Sequence, residues 1–358
     1  MHISRRKDMA AGKVWTIRGL ALVAAIVIGG LIFLLLGNNP IEAYGNIISG
    51  SLGKVTALRQ TIKIAVPLLG AALALAPCFK MRFWNIGAEG QITAGAIAAA
   101  FFALNFGDKL PAPVLLPVMG IAGAVFGGFW AFIPAVFNAK WGTNETLFTL
   151  MMNYIATQLV AFFCNIWDKK GSGVVGIINS SSEAGWLPVM FGQRYLLNIL
   201  VVAVLVVFVY VYLSYSKHGY ELSVVGESER TARYIGISVE RVIVRTMLLS
   251  GALCGVAGLL LVGGTDHSIS TATAGGRGFT AVMVSWLAKF NPVTMILTSF
   301  VIVFLERGSG DIVSKYGLNK SFSDILTGII LFFIIGSEFF INYRLDLVKS
   351  SGREEKQP

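Results

Sequence analysis

Charged residues are scarce in this chain. Only 13% of its 358 residues are Asp, Glu, Lys or Arg, whereas 55% are hydrophobic. An average soluble domain has about 25% charged residues, so this composition would leave most of a water-facing surface apolar. The scarcity excludes an ordinary soluble protein and predicts an integral membrane protein.

Cysteine and histidine are also few, with three residues of each type. An odd number of cysteines without a CxxC pair excludes a disulfide framework and a zinc site. The three histidines have no metal-ligand spacing, so we expect no bound metal. The cysteines stand in or beside apolar segments, which is typical of small buried residues: Cys78, Cys164 and Cys254.

Sequence motifs of catalysis and nucleotide binding are missing. There is no GxxxxGK[ST] phosphate loop, no GxSxG, no HExxH and no Ser/His/Asp pattern. We therefore expect no catalytic residues and no cofactor of the chain's own. The net charge of +10 is better explained by loops that set membrane orientation than by nucleic acid.

Long apolar runs predict an all-α membrane protein, a polytopic bundle of about eight to ten transmembrane helices. The helices are expected to be broken or short near 83–91 and near 278–305. The second region is split by 289–292, and it is either two short crossing helices or one re-entrant hairpin. The ten runs are 18–36, 62–79, 86–105, 113–137, 146–166, 195–215, 243–264, 278–288, 293–305 and 322–341.

The basic residues predict an orientation and a domain plan. Most Lys and Arg residues fall on one side if the chain starts in the cytoplasm, so both termini are predicted to be cytoplasmic. The plan has an N-terminal tail, 1–17, one transmembrane domain, 18–341, with a cytoplasmic loop at 216–241, and a C-terminal tail, 342–358.

Two small-residue motifs, Gly123-xxx-Gly127 and Gly251-xxx-Gly255, let helix backbones approach closely. We expect them to pack helices within one subunit rather than to form a dimer seam.

The segment 83–91 combines amides and a carboxylate with small residues. Asn85 and Glu89 are four apart and share a helix face, and an ionisable group near bilayer depth usually faces a pathway or a partner. A broken helix start of this kind can build a substrate site. The alternative is that Asn85 only caps the helix and Glu89 pairs with Lys80 or Arg82.

A second polar stripe begins at Asn144. Glu145, Thr149, Asn153 and Thr157 recur every four residues and lie along one helix face. In a membrane such a face turns away from lipid. Pore lining and hydrogen bonding between helices both explain it.

The loop around 226–237 mixes charge with apolar residues such as Tyr234, and it ends in Gly236, a typical helix stop. A short amphipathic docking helix and a purely orienting basic loop are the two interpretations.

Four segments resemble one family. They are FWNIGAEGQITAGA (83–96), NETLFTLMMNYIA (144–156), VGESERTARYIGI (225–237) and GRGFTAVMVSWLAKFNP (276–292). They are similar, in the same order, to motifs of permease subunits of bacterial ABC importers for simple sugars and nucleosides, which are related to branched-chain amino acid permeases. The chain departs from the family pattern at Trp84, 227–229 and 284–286.

The resemblance implies a complete importer in the bacterial inner membrane. Its expected partners are ABC ATPase subunits that bind the ATP, a second, non-identical permease subunit, a substrate-binding lipoprotein or periplasmic protein, and membrane lipids, but no nucleic acid. It also implies that 225–237 couples to the ATPase.

The functional hypothesis is a nucleoside permease. The alternatives are a simple-sugar permease and an ion-coupled secondary transporter, which would need a relay of Glu89, Glu145 and Glu306. The ATPase contacts are predicted at Glu227, Arg230, Arg233 and Tyr234. The residues expected to line the pathway are Asn85, Glu89, Gln91, Asn144, Glu145 and Asn153.

Overall fold

A computed structural model describes residues 2–5, 11–168 and 175–346. This part of the chain is almost entirely helical, which confirms the predicted all-α class, and two four-residue strands, β1 (His2–Arg5) and β2 (Tyr343–Asp346), form an antiparallel pair. The α-helices are α1 (Ala11–Leu35), α2 (Pro40–Leu52), α3 (Val55–Lys80), α4 (Ala88–Phe106), α5 (Ala112–Trp141), α6 (Glu145–Trp167), α7 (Leu196–Tyr215), α8 (Lys217–Glu227), α9 (Glu229–Tyr234), α10 (Val239–Leu259), α11 (Arg277–Leu287), α12 (Pro292–Tyr316) and α13 (Lys320–Asn342).

Eight helices in the described residues are long and apolar enough to cross a membrane. This number lies within the predicted eight to ten and makes the chain a multi-pass membrane protein. Two of the ten predicted runs, α4 and α11, are not among the eight. The start of α4 is small and polar, and α11 has 11 residues, which span only about 16 Å.

The helix break predicted within 278–305 is present, because α11 ends at Leu287 and α12 begins at Pro292. The first half of this region is short, as predicted, because α11 ends at Leu287. Its second half is not, because α12 runs without a break from Pro292 to Tyr316. No proline interrupts that stretch, and the polar residues within it do not stop the helix. The prediction of a short helix or hairpin arm at 293–305 is therefore wrong.

Two compact units divide the chain. The first combines residues 1–58 with 304–358, and its core comes from α1, α2, α12 and α13. Helix α2 does not coincide with any of the long apolar runs and was not predicted. It begins at Asn39, whose side chain accepts a hydrogen bond from Ile41 N at 3.0 Å, ahead of a proline at its first position, a combination that favours helix initiation. The predicted tails fall partly outside the described residues.

The second unit, residues 59–303, packs α4, α5 and α10 together through small residues. An added Cβ at Gly127 would lie 2.3 Å from the Gly251 carbonyl oxygen, and one at Gly255 would lie 2.0 Å from that of Gly123. The two glycine motifs therefore face each other within one subunit, as predicted. A fifth glycine, Gly95, meets Gly255 from α4.

Gly255→Ala is expected to destabilise the protein by about 1–3 kcal/mol, because its methyl group forces two backbones apart. The matched control is Gly328→Ala in α13, where an added Cβ meets nothing within 4 Å and alanine favours the helix. Thermal unfolding of both variants in detergent measures the difference. Equal melting temperatures would contradict close packing at Gly255.

Candidate functional site

The helix break predicted near 83–91 is present. Helix α3 ends at Lys80 and α4 begins at Ala88, and residues 81–87 between them form a non-helical connection that we call the polar turn. Arg82 has φ of +61°, and Phe83 N donates back to the carbonyl oxygen of Cys78. Helix α3 thus ends in a tight backbone turn.

Asn85 is completely buried at the centre of the polar turn. Its side chain forms a two-way amide pair with Gln91, through bonds of 3.3 and 3.1 Å. It also donates to Ser250 Oγ in α10 at 3.2 Å and accepts from Gly87 N at 3.0 Å. Asn85 therefore joins Gln91 of α4 to Ser250 of α10, whereas its bond to Gly87 N closes a turn ahead of α4, which has no side-chain cap bond of its own.

The polar stripe of α6 faces the polar turn. Thr149 Oγ1 accepts a hydrogen bond from Ile86 N at 3.2 Å. Asn153 accepts from Gly90 N at 2.8 Å and donates to the Ile86 carbonyl oxygen at 2.9 Å. Both stripe residues are buried, so hydrogen bonding between elements accounts for this part of the stripe.

Glu89 joins α4 to the start of α11. Its two carboxylate oxygens accept hydrogen bonds from Gly276 N and Gly278 N, each at 2.7 Å. A carboxylate at a helix N-terminus satisfies free N–H groups and interacts favourably with the helix dipole. Among the residues described, Glu89 forms no ion pair with Lys80 or Arg82. Lys80 Nζ instead donates to the Leu213 carbonyl oxygen at 2.8 Å.

The first two residues of the polar stripe, at the start of α6, lie apart from this buried network. Asn144 is exposed and caps α6 by accepting from Leu147 N at 2.9 Å. Glu145 is half-buried and accepts from Asn138 Nδ2 at 3.3 Å. Of the six predicted pathway residues, the structure thus joins Asn85 to Gln91 directly, and Asn153 meets the backbone of the same turn.

An aromatic cluster beside the polar turn was not predicted. The indole rings of Trp84 and Trp286 stack at 5.0 Å between centroids and 18° between planes. Phe79 contacts both rings, and Phe290 contacts Trp286. Trp84 is 43% and Trp286 is 42% exposed. Their departure from the family motifs was the only signal in the sequence.

The predicted docking helix within 226–237 is divided at Ser228, which separates α8 from α9. Ser228 Oγ accepts from Thr231 N at 3.2 Å, and Gly236 follows α9 with φ of +85°. Ala232 is buried, whereas Tyr234 is 93% exposed.

All four residues predicted to contact an ATPase are exposed, and one of them, Arg233, forms an ion pair with Glu240 at 2.8 Å. The four are Glu227, Arg230, Arg233 and Tyr234.

Helix α8 is tied to α10 by an ion pair. The Glu221 carboxylate accepts from Arg245 at 2.8 Å and lies 3.4 Å from His218 Nδ1. The hydrogen bond from the Arg245 guanidinium holds the pKa of the Glu221 carboxyl below its usual value. An added Cβ at Gly226 would meet the Lys80 carbonyl oxygen, so α8 also packs closely against the end of α3.

The described residues contain no group of three or more His, Cys, Asp or Glu side chains that could hold a metal ion. The three cysteines are buried and free. The arrangement is therefore one of buried amides and hydroxyls, capped half-helices and a partly exposed aromatic pair, which is typical of a membrane transport subunit with a discontinuous helix.

The chain belongs to the family described as the permease component of branched-chain amino acid transport systems, whose model matches residues 58–335. It is 30% identical to a glucose ABC transporter permease of Haloferax volcanii, over 97% of this chain and 94% of that one. It is 29% identical to a nucleoside ABC transporter permease of Lactococcus lactis, over 92% and 93% of the two chains.

A guanosine ABC transporter permease of Bacillus subtilis is 28% identical, over 93% of this chain and 96% of that one. No solved structure matches the chain. The relatives are permease subunits, so this family assignment makes the chain an ABC transporter permease.

Proposed function

We propose that the chain is the permease subunit of an ABC importer that carries nucleosides across the cytoplasmic membrane. The observation that carries the substrate class is the stacked, partly exposed pair Trp84 and Trp286 beside the polar turn. Stacking of a base on an aromatic side chain is worth about 1–3 kcal/mol and tolerates any base. The names of the nucleoside and guanosine permeases among its relatives support the same class.

The polar residues divide into two roles in this proposal. Asn85, Gln91 and Asn153 are buried and hold the polar turn in shape at the edge of the pathway. Glu89, Asn144 and Glu145 retain partial exposure and offer polar atoms to a neutral, hydroxyl-rich substrate. Such a lining suits a ligand that must pass rather than remain bound.

The ATPase is proposed to dock on α9 and on the adjoining end of α8, at Glu227, Arg230, Arg233 and Tyr234, and to bind the ATP. A second, non-identical permease and a substrate-binding lipoprotein or periplasmic protein complete the importer. Both termini are proposed to be cytoplasmic. Residues 2–5 in β1 pair with residues 343–346 in β2, which supports placing these two strands on the same side of the membrane.

A sugar permease is the second candidate, supported by the 30% identity to the glucose permease. An ion-coupled transporter is not favoured. Both oxygens of Glu89 already accept backbone hydrogen bonds. The presence of this carboxylate is therefore explained by a structural role, without a proton relay.

Uptake of labelled guanosine, adenosine, uridine, glucose and ribose, in cells with and without the gene, tests the function. Loss of nucleoside uptake alone is expected, whereas loss of glucose or ribose uptake alone would establish the sugar candidate. Uptake that persists when the partner ATPase is inactivated would contradict an ABC importer.

Trp84→Leu and Trp286→Leu are each expected to lower nucleoside uptake about tenfold at limiting substrate, because one stacking face is lost. The matched control is Phe332→Leu, at an aromatic residue that is 72% exposed in α13, and its uptake should equal that of the wild type. Membrane levels are measured in parallel. Normal uptake by both tryptophan variants would contradict a role of the pair in transport.

A further inference from the structure

A long apolar groove runs between α5 and α10 within the second unit. Its volume is about 610 Å³. Every side chain along it is apolar: Ala124, Val125, Gly128, Phe129, Phe132, Leu248, Leu249 and Ala252.

The groove continues into a second cavity of about 380 Å³ at the end of α5 and the start of α10. The two cavities share Leu248. The second one, which we call the basic mouth, has a different chemistry, because three basic residues and one acidic residue join its apolar walls. It is lined by Val136, Ala139, Lys140, Glu240, Arg241, Val244, Arg245 and Leu248.

Two positive charges of the basic mouth are not neutralised by the protein. Glu240 forms an ion pair with Arg233, and Arg245 forms an ion pair with Glu221, each at 2.8 Å. Among the described residues no carboxylate pairs with Lys140 or Arg241, and both side chains are exposed. The mouth therefore attracts an anion, whereas the groove that leads into it attracts only hydrocarbon.

We propose that this surface binds an anionic phospholipid, with an acyl chain in the groove and the phosphate between Lys140 and Arg241. Ala124 and Lys140 are 16 residues apart, about 24 Å along α5, which fits inside the ~30 Å hydrocarbon core. Basic pockets between transmembrane helices on the cytoplasmic side are suited to anionic head groups. The mouth adjoins α8 and α9, the end proposed to be cytoplasmic.

An apolar groove that leads into a basic mouth favours a lipid over the other possible occupants. A neutral, hydroxyl-rich substrate would find no hydrogen-bonding group along the groove. A second permease packed there would bury Lys140 and Arg241 and would have to supply carboxylates to both. The lipid site does not depend on which substrate the protein carries.

Native mass spectrometry of the full-length protein with phosphatidylglycerol, phosphatidylethanolamine and phosphatidylcholine tests the site. Each basic residue near a membrane surface contributes about fivefold in affinity for anionic lipid. The double variant Lys140→Gln/Arg241→Gln is therefore expected to bind phosphatidylglycerol about 25-fold more weakly. The control Lys54→Gln/Arg59→Gln, which removes one exposed lysine and one exposed arginine elsewhere, should bind it like the wild type.

Ala252→Leu tests the apolar half by filling the groove, and it is expected to weaken binding of phosphatidylglycerol while leaving the basic mouth intact. Four outcomes would overturn the proposal. They are equal affinity for the three lipids, unchanged binding by the double variant, displacement of the lipid by millimolar inorganic phosphate, and crosslinks from Ala252 to a second permease in the intact importer.

Discussion

Replacing Asn85 with alanine is expected to destabilise the protein by about 3 kcal/mol. A single hydrogen bond between transmembrane helices is worth only about 0.6 kcal/mol on average, so the lost bonds alone do not give this value. The larger part comes from the partners left behind. Gly87 N and the Gln91 side-chain amide would lose their hydrogen bonds to Asn85, and because Gln91 is only 1% exposed, water would not replace them. Each buried polar group left without a partner costs about 1–3 kcal/mol.

Two further variants distinguish the cost of buried groups left unpaired from the loss of the hydrogen bonds themselves. Ser250→Ala removes one bond to Asn85 and should cost about 0.6 kcal/mol. Asn105→Ala makes the same chemical change as Asn85→Ala at an exposed position of α4 and should have little effect. Unfolding in detergent measures all three. A loss at Asn85 no larger than that at Asn105 would contradict the buried network.

The helix break at the polar turn could be predicted from the sequence because its signals are local. Asn85, Gly87 and Gly90 are residues typical of helix starts, and the four-residue spacing of Thr149 and Asn153 places both on one face. The sequence did not predict which element packs against the polar stripe of α6. Spacing reports the face of a helix, whereas the partner of that face depends on how distant elements pack.

The features that the sequence did not reveal depend on contacts far apart in the chain. Trp84 and Trp286 are separated by 202 positions, and only the packing of α11 beside the polar turn brings them together. Helix α2 was missed for another reason. Its glycines and polar residues mask the apolar face formed by Ala43 and Ile47, and a search for long apolar runs does not detect such a helix.

Segment α9 is connected to its neighbours on its inner side. Its start is capped by Ser228, Ala232 is buried, and Arg233 forms an ion pair with Glu240. The preceding helix α8 is held to α10 through Glu221 and Arg245. A small element that is fixed on its inner side and exposed on its outer side can transmit the movement of a docked partner to α10 rather than absorb it.

Tyr234→Ala is therefore expected to lower uptake by the intact importer about 30-fold while leaving membrane insertion and thermal stability unchanged. Its ring is 93% exposed, so removing it disturbs no packing within the chain. At an interface, a large aromatic residue that fills a partner's pocket commonly contributes 2 kcal/mol or more, which corresponds to this factor. Arg230→Ala and Glu227→Ala at exposed rim positions should reduce uptake less.

Tyr215→Ala is the matched control, because Tyr215 is 74% exposed at the end of α7, outside the predicted coupling loop. Substrate-stimulated ATP hydrolysis, measured in the assembled importer together with uptake, distinguishes lost docking from a blocked pathway. If the ATPase docks on α9, Tyr234→Ala loses both activities together, whereas the Trp84 and Trp286 variants lose uptake at limiting substrate and recover it at high concentration. Normal uptake by Tyr234→Ala would exclude α9 as the coupling element.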